Sequence, residues 1–161
     1  MRRLLLPAMI AAIPTLWWGL ATAQHHDPKT HGHSSATASD GRTLVRIPSA
    51  LTQHMLANMR DHLSAIQEIQ EAMGKGENDK AAGIAEQRLG MTSLKLHGAH
   101  EVGKHMPKGM QDAGAGMHQA ASRFAIAVQD AGVTGDMKPA LQALASVTAQ
   151  CVGCHAGYRV K

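Results

Sequence analysis

The chain has 161 residues and a formal net charge of +4; hydrophobic residues make up 44% of it, but aromatic residues only 2%. This length suits one domain of modest size. The small positive charge is not arranged as a basic stripe interleaved with aromatic residues, so the composition does not indicate a nucleic-acid-binding protein.

The N-terminus has the three parts of a secretory signal peptide. Two arginines precede an apolar stretch at 4–20, and the small-residue cleavage pattern Ala21-Thr22-Ala23 follows. An uncleaved membrane anchor is the alternative, because the stretch approaches a spanning length. Two prolines within the stretch and the cleavage pattern favour the signal peptide. We therefore expect cleavage of residues 1–23, export to the periplasm and no membrane span in the mature chain.

Residues 24–46 predict a flexible leader. They are rich in His, Ser, Thr, Asp and Gly and have no apolar periodicity. Copper, nickel or zinc could bind to the histidines of this segment, which are His25, His26, His31 and His33. Because these histidines have no fixed spacing on a predicted helix or strand, we expect only adventitious metal binding there.

Residues 47–161 predict four helices and no strand. The first helix, at 48–74, has an apolar stripe with steps of three and four, which consists of Leu51, Met55, Met59, His62, Ile66, Ile69 and Met73. The second begins at Asn78 or Asp79 as N-cap and ends before Gly98. Residues 97–109 contain Gly, His and Pro and predict a connecting loop.

The third helix spans about 109–131, and the fourth is capped by Asp136 with Pro139 tolerated in its first turn. The predicted buried stripe of the fourth helix consists of Met137, Leu141, Leu144, Thr148, Cys151, His155 and Tyr158. Four helices joined by mostly short turns predict an all-α fold, an antiparallel up-down-up-down four-helix bundle.

Other histidines and methionines lie in and around the predicted loop. The histidines lack a metal-ligand spacing and are predicted to face solvent; they are His97, His100, His105 and His118. The methionines are predicted to pack in the core or loop, with a copper-binding cluster as the alternative; they are Met106, Met110 and Met117.

The last helix contains the run Cys151-Val152-Gly153-Cys154-His155, the C-x-x-C-H signature of c-type haem attachment. Cysteines three apart share a helix face and can each form a thioether with a haem vinyl group, while His155 can bind the iron as proximal ligand. A redox C-x-x-C, half a zinc site and a disulfide are the alternatives. They are disfavoured because there is no βαβ pattern, no second Cys pair and a histidine directly after the pair.

One covalent haem c in the bundle core also suits the composition. After cleavage only Phe124 and Tyr158 remain as aromatic residues, which is few for a domain that must bury enough apolar surface to offset chain entropy. A porphyrin would supply a large apolar body.

A four-helix bundle with this motif in its last helix, followed by Tyr158 and Arg159, resembles the class II cytochromes c, the cytochrome c′ group. The resemblance implies that the first helix supplies the group on the distal face of the haem. Some members have an apolar residue there and five-coordinate iron, whereas the low-spin branch has a methionine ligand. Met59 lies where that branch has its ligand, and His62 and Met55 are the alternatives on the same stripe.

Two arginines are candidates to bind the haem propionates, Arg60 and Arg159, since a guanidinium group binds a carboxylate with two parallel hydrogen bonds.

We predict that residues 47–161 form a four-helix cytochrome domain, and that the protein is a periplasmic monohaem c-type cytochrome. It would pass single electrons to periplasmic redox partner proteins and would not be an enzyme. One alternative is a five-coordinate cytochrome c′ that binds NO or CO. The other, less favoured, is a periplasmic metal sensor or chaperone without haem. Family members are often dimers, and the sequence leaves a homodimer open.

Overall fold

The computed structural model describes residues 40–161; the predicted signal peptide and all four histidines of the leader lie outside this range. The described part is mostly helical, and none of its helices is long and apolar enough to cross a membrane. In chain order its elements are β1 (Thr43–Val45), α1 (Ser49–Gly74), α2 (Asn78–Ile84), a π-helical turn (Ala85–Leu89), a 3₁₀ turn (Met91–Lys95), α3 (Ala99–Gly103), α4 (Lys108–Thr134), α5 (Lys138–Gly157) and β2 (Tyr158–Val160).

The three long helices α1, α4 and α5 confirm the predictions for the first, third and fourth helices to within three residues. Their ends have local causes. After α1 and α4 the chain passes through Gly76 and Gly135, which have φ values of +73° and +76°, a left-handed conformation that glycine adopts without strain. Before α5, the N-cap position is Met137, one residue later than the predicted Asp136. Asp136 still accepts a hydrogen bond of 3.0 Å from the Lys138 backbone N–H, the first of the helix.

The predicted second helix is wrong beyond residue 84. The backbone turns extended at Gly90, with φ −74° and ψ −176°, and the 3₁₀ turn follows. A Cβ atom on Gly90 would lie 2.8 Å from Glu86 Cα, so the close approach of these two turns requires glycine at this position. The predicted loop at 97–109 also differs, because it contains the short helix α3.

The prediction that the domain has no strand is wrong as well. Strands β1 and β2 pair in parallel, with Thr43 opposite Tyr158 and Val45 opposite Val160. Strand β1 lies inside the segment 24–46 that the sequence assigned to the leader, so its residues 43–45 are part of the fold. Three-residue strands are too short to produce an alternating pattern that the sequence could reveal.

The core consists of two clusters of buried side chains. The larger is formed by α1, α2, the π-helical turn, α4 and α5 and consists mainly of alanines around Phe124, Ile69 and Leu89. The smaller is formed by Val45, Ile47, Met55, Val102 and Met110. Cys151 packs against the larger cluster and Cys154 against the smaller one, so the C-x-x-C-H run bridges the two.

Two predicted apolar stripes differ from the buried faces. In α5 the buried residues are Ala140, Leu144 and Val147, whereas Leu141 and His155 are exposed. In α1 small residues such as Ala65 and Ala72 are buried, while Met59 is 36% exposed. Alanines allow the helix backbones to approach closely, so they form the contact face and leave several larger side chains at its margin.

Phe124 is the largest fully buried side chain of the described residues, with 0% exposure. Phe124→Ala is expected to lower the free energy of unfolding by about 3–5 kcal/mol, because a core of small side chains cannot collapse into the space that the ring leaves. Urea denaturation followed by far-UV circular dichroism measures the change. Ile126→Ala is the matched control on the same helix, since Ile126 is 61% exposed, and should change stability by less than about 0.5 kcal/mol. Equal effects of the two variants would contradict the assignment of Phe124 to the core.

Candidate functional site

The C-x-x-C-H run occupies the last two turns of α5. Cys151 and Cys154 are half-buried free thiols with no disulfide between them, and the Cys151 thiol lies 3.6 Å from the Val147 carbonyl. Burial raises the pKa of both thiols, and for Cys154 the neighbouring Cys151 adds to the effect. Both thiols are therefore protonated near neutral pH. The His155 ring is exposed.

Two apolar cavities lie against this run, one beside each cysteine. The first, of about 350 Å³, we name the Cys151 cavity; its lining includes Cys151, His155, Met59, His62 and Leu63. The second, of about 240 Å³, we name the Cys154 cavity; its lining includes Cys154, His155, Met55, Met59, Tyr158 and Arg159. Each is near or within the size range of small-molecule sites in proteins, and the two share His155 and Met59.

The structure brings all three candidates for the distal iron ligand to these cavities. Met59 lines both of them, as does His155 of the opposite helix. His62 lines only the Cys151 cavity and Met55 only the Cys154 cavity; both residues are buried. Among the three, Met59 is therefore the residue that shares both cavities with the predicted proximal histidine.

The two arginines predicted to bind propionates have different environments. Arg159 lines the Cys154 cavity; its Nε atom is buried and lies 3.3 Å from an Asp40 carboxylate oxygen, yet makes no hydrogen bond within residues 40–161. Arg60 is exposed and is not among the residues that line the two cavities.

A third arginine, which sequence reasoning missed, also lines the Cys154 cavity. Arg42 donates hydrogen bonds of 2.9 and 2.8 Å to the Asp40 carboxylate and lies 3.5 Å from the His155 backbone carbonyl. These bonds lower the pKa of Asp40 to about 2. Arg42 precedes β1, and no pattern around it in the sequence indicated that the β1–β2 pairing would bring it to the end of α5.

A cluster of three histidines lies beside the Cys151 cavity and corrects the prediction of solvent-facing histidines. The ring centroids of His62 and His97 are 4.7 Å apart, those of His97 and His118 5.4 Å, and those of His62 and His118 6.0 Å. His62 and His118 are 8% and 7% exposed, and His97 is half-buried. Of the four histidines predicted to face solvent, only His100 and His105 are exposed. We name His62, His97 and His118 the histidine cluster.

The segment between α2 and α3 builds one wall of the cluster. His118 Nδ1 lies 2.7 Å from the Leu89 carbonyl, a distance at which the imidazole N–H donates to that oxygen. The Ser93 hydroxyl donates to the Gly90 carbonyl over 2.7 Å and lies 3.4 Å from the Nδ1 atoms of His97 and His118. The π-helical turn and the break at Gly90 thus orient the cluster, which is why a regular helical pattern did not predict it.

Burial lowers the pKa of all three histidines in the cluster. For His62 the pKa falls to about 4, because burial and then the charges of His97 and His118 disfavour the protonated form. The pKa values of His97 and His118 are lowered by burial first. All three imidazoles are therefore neutral at neutral pH.

The lowered pKa of His62 predicts that the folded state becomes less stable as the pH decreases. His62 takes up a proton near pH 6.5 in the unfolded chain but only near pH 4 when it is buried in the folded one. The free energy of unfolding should therefore be highest above about pH 6.5 and decrease below it. The gap between the two pKa values corresponds to at most about 3 kcal/mol. Urea denaturation at about pH 7 and pH 5 measures the decline.

His62→Gln should show a smaller decline than the parent, and His100→Gln, at an exposed position, should show the same decline as the parent. An identical pH dependence in His62→Gln and the parent would contradict the burial of a neutral His62.

A third cavity, of about 360 Å³, opens onto the histidine cluster; we name it the histidine cavity. Besides the three imidazoles, four methionines line it: Met55, Met59, Met106 and Met117. Within residues 40–161, no group of three His, Cys, Asp or Glu side chains is arranged to hold a metal ion.

No family model, curated protein or solved structure that was compared with this chain matches it. The resemblance to class II cytochromes c therefore depends on the sequence alone.

Proposed function

We propose that the protein is a periplasmic monohaem c-type cytochrome that carries single electrons, with haem c attached through Cys151 and Cys154. One observation carries the proposal: the C-x-x-C-H run lies at the end of a helix with an apolar cavity beside each cysteine, and one methionine lines both cavities with His155. A disulfide or zinc site would not require two apolar cavities at the motif.

The residues around the motif fit a haem on three counts. Both cysteines are free thiols, which thioether formation needs. The walls of both cavities are mostly apolar, as a porphyrin face requires. At the Cys154 cavity the guanidinium groups of Arg42 and Arg159 share one carboxylate, and the buried Arg159 Nε makes no hydrogen bond within the described residues. These groups could bind propionate carboxylates.

The bundle architecture is part of the proposal. Helices α1, α4 and α5 would be the first, third and fourth helices of an antiparallel four-helix bundle, and α2 with its π-helical turn would stand for the second. The contact of α2 with both α1 and α4, and of α4 with α5, supports this arrangement.

The chemistry that a haem supplies in this site is a reversible one-electron couple of its iron. The chain's own residues have separate tasks. Cys151 and Cys154 would hold the porphyrin covalently, and the His155 imidazole of α5 would bind the iron. Met59 would offer a thioether from α1, a type of ligand that raises the reduction potential and favours electron transfer over gas binding. The apolar walls limit water, and no group positioned for catalysis is needed.

Haem staining of the denatured protein tests the proposal. The full chain is expressed in a strain with the cytochrome c maturation machinery, and we expect one haem-stained band at the mass of the mature chain. Oxidised and reduced absorption spectra should then show low-spin iron. The absence of a stained band would overturn the haem proposal. High-spin ferric iron with rapid CO binding would instead establish the five-coordinate alternative, a gas-binding protein.

A further inference from the structure

We propose that the histidine cavity binds one Cu(I) ion through the imidazoles of His62 and His97 and a methionine thioether. The inference goes beyond the electron-carrier proposal and does not depend on it, since the cavity and its side chains exist without haem. It assigns His62 to the copper site and so leaves Met59 for the iron.

The first observation is the distance between two imidazole nitrogens. His62 Nε2 and His97 Nδ1 lie 3.5 Å apart, at the long limit of a hydrogen bond. Two imidazole nitrogens bound to one metal ion at about 2.0–2.1 Å, with a trigonal or tetrahedral angle, would lie about 3.3–3.6 Å apart. The pair is therefore already at the separation that a shared ion requires.

The protonation state of the two imidazoles favours a metal ligand. Metal binding needs neutral imidazole, and burial keeps these rings neutral at neutral pH. Ser93 lies 3.4 Å from His97 Nδ1, the nitrogen assigned to the ion, so copper would replace this contact. The Leu89 carbonyl orients the neighbouring His118, whose ring lies beside both of the others.

The irregular backbone at 85–95 is a second, independent observation. A π-helical turn is a rare element that often marks functional sites. Arg88, within the turn, binds the Asp61 carboxylate next to His62, and also Glu68, which it contacts at 2.8 Å. The turn is thereby attached to α1 beside His62, and the break at Gly90 brings His97 against the same helix.

The other donor atoms that line the histidine cavity determine which metal ion would bind there. No third His, Cys, Asp or Glu of the described residues completes a site with this pair, and the one carboxylate that lines the cavity, Asp112, is paired with Lys108. Besides the amides of Asn58 and Gln111, the donors that line the cavity are thioether sulfurs, and of these Met106 and Met117 are not candidates for the iron. Soft thioether ligands select Cu(I) over Zn²⁺ and other harder cations.

Competition with a chromophoric Cu(I) chelator under anaerobic conditions tests the site. The full haem-loaded chain is used, with His25, His26, His31 and His33 replaced by Gln in every sample to remove binding by the leader. We expect one Cu(I) per chain in this parent and weaker binding of Zn²⁺.

His97→Gln, and separately the double change Met106→Leu with Met117→Leu, should each weaken Cu(I) binding at least about tenfold. The exposed His100→Gln is the matched control and should bind as the parent does. Circular dichroism checks the fold; if one of the two variants unfolds, the other decides.

No stoichiometric Cu(I) binding by the parent, tighter binding of Zn²⁺ than of Cu(I), or unchanged affinity in a folded His97→Gln or methionine variant would overturn the proposal. Copper is counted per chain and haem by its own stain, so a chain without haem that still binds Cu(I) would refute only the cytochrome proposal.

Discussion

Replacing both Cys151 and Cys154 with serine is expected to abolish covalent haem attachment completely. Serine has nearly the same size but cannot form a thioether, so any haem that still enters the two cavities would be held only by ligation and packing. Denaturation would then release it. The measurement is haem staining of the denatured double variant beside the parent, with equal protein loaded.

The single variants should differ from the double variant. Cys151→Ser and Cys154→Ser each leave one thioether and should give a weaker stained band. Gly153→Ala is the matched control inside the motif, because a Cβ atom there would meet no neighbouring atom within 4 Å, and it should stain as the parent does. A double variant that retains the full stained band would refute attachment through the C-x-x-C-H run.

Replacing Met59 with alanine is expected to convert low-spin ferric iron into high-spin iron and to lower the reduction potential. Met59 lines both cavities beside the motif, and removal of its thioether would leave the iron with His155 alone or with water. Histidine–methionine ligation raises the potential of a haem, so its loss acts in the opposite direction. Absorption spectra of both oxidation states and a redox titration measure these changes.

Leu63→Ala is the control for the Met59 variant. Leu63 lines the Cys151 cavity one helical turn from Met59 and has no donor atom, so its removal should alter the wall and leave the spin state unchanged. If Met59→Ala retains the parent spectrum, the ligand is His62 or Met55, and alanine variants of those two residues distinguish them. Spectra changed equally by Met59→Ala and Leu63→Ala would indicate a packing effect only.

The long helices could be predicted because each has many turns of consistent periodicity. α1, α4 and α5 have 26, 27 and 20 residues, so a few exposed apolar residues such as Met59 or Leu141 did not obscure the pattern. The ends of α1 and α4 at Gly76 and Gly135 could also be predicted, because glycine alone accommodates the left-handed turn without strain.

The region 84–109 could not be predicted because its structure depends on tertiary contacts. A π-helical turn has no sequence signature of its own, and the hydrogen bonds that fix it come from distant residues, such as that between Arg88 and Asp61. The candidate site divides in the same way. The C-x-x-C-H run is local and was visible, whereas His62 of α1, His97 of the segment before α3 and His118 of α4 are brought together only by folding.

The parallel pairing of β1 with β2 determines the order in which the domain can close. Thr43 pairs with Tyr158, more than a hundred residues later in the chain, and only two residues lie between His155 and the start of β2. During synthesis, β1 must wait without its partner until the whole C-x-x-C-H run has been made. Closing such a long loop costs only slightly more entropy than closing a shorter one, but a contact between residues so far apart in the sequence slows folding. The Cys151 and Cys154 thiols are thus made before β1 and β2 can pair.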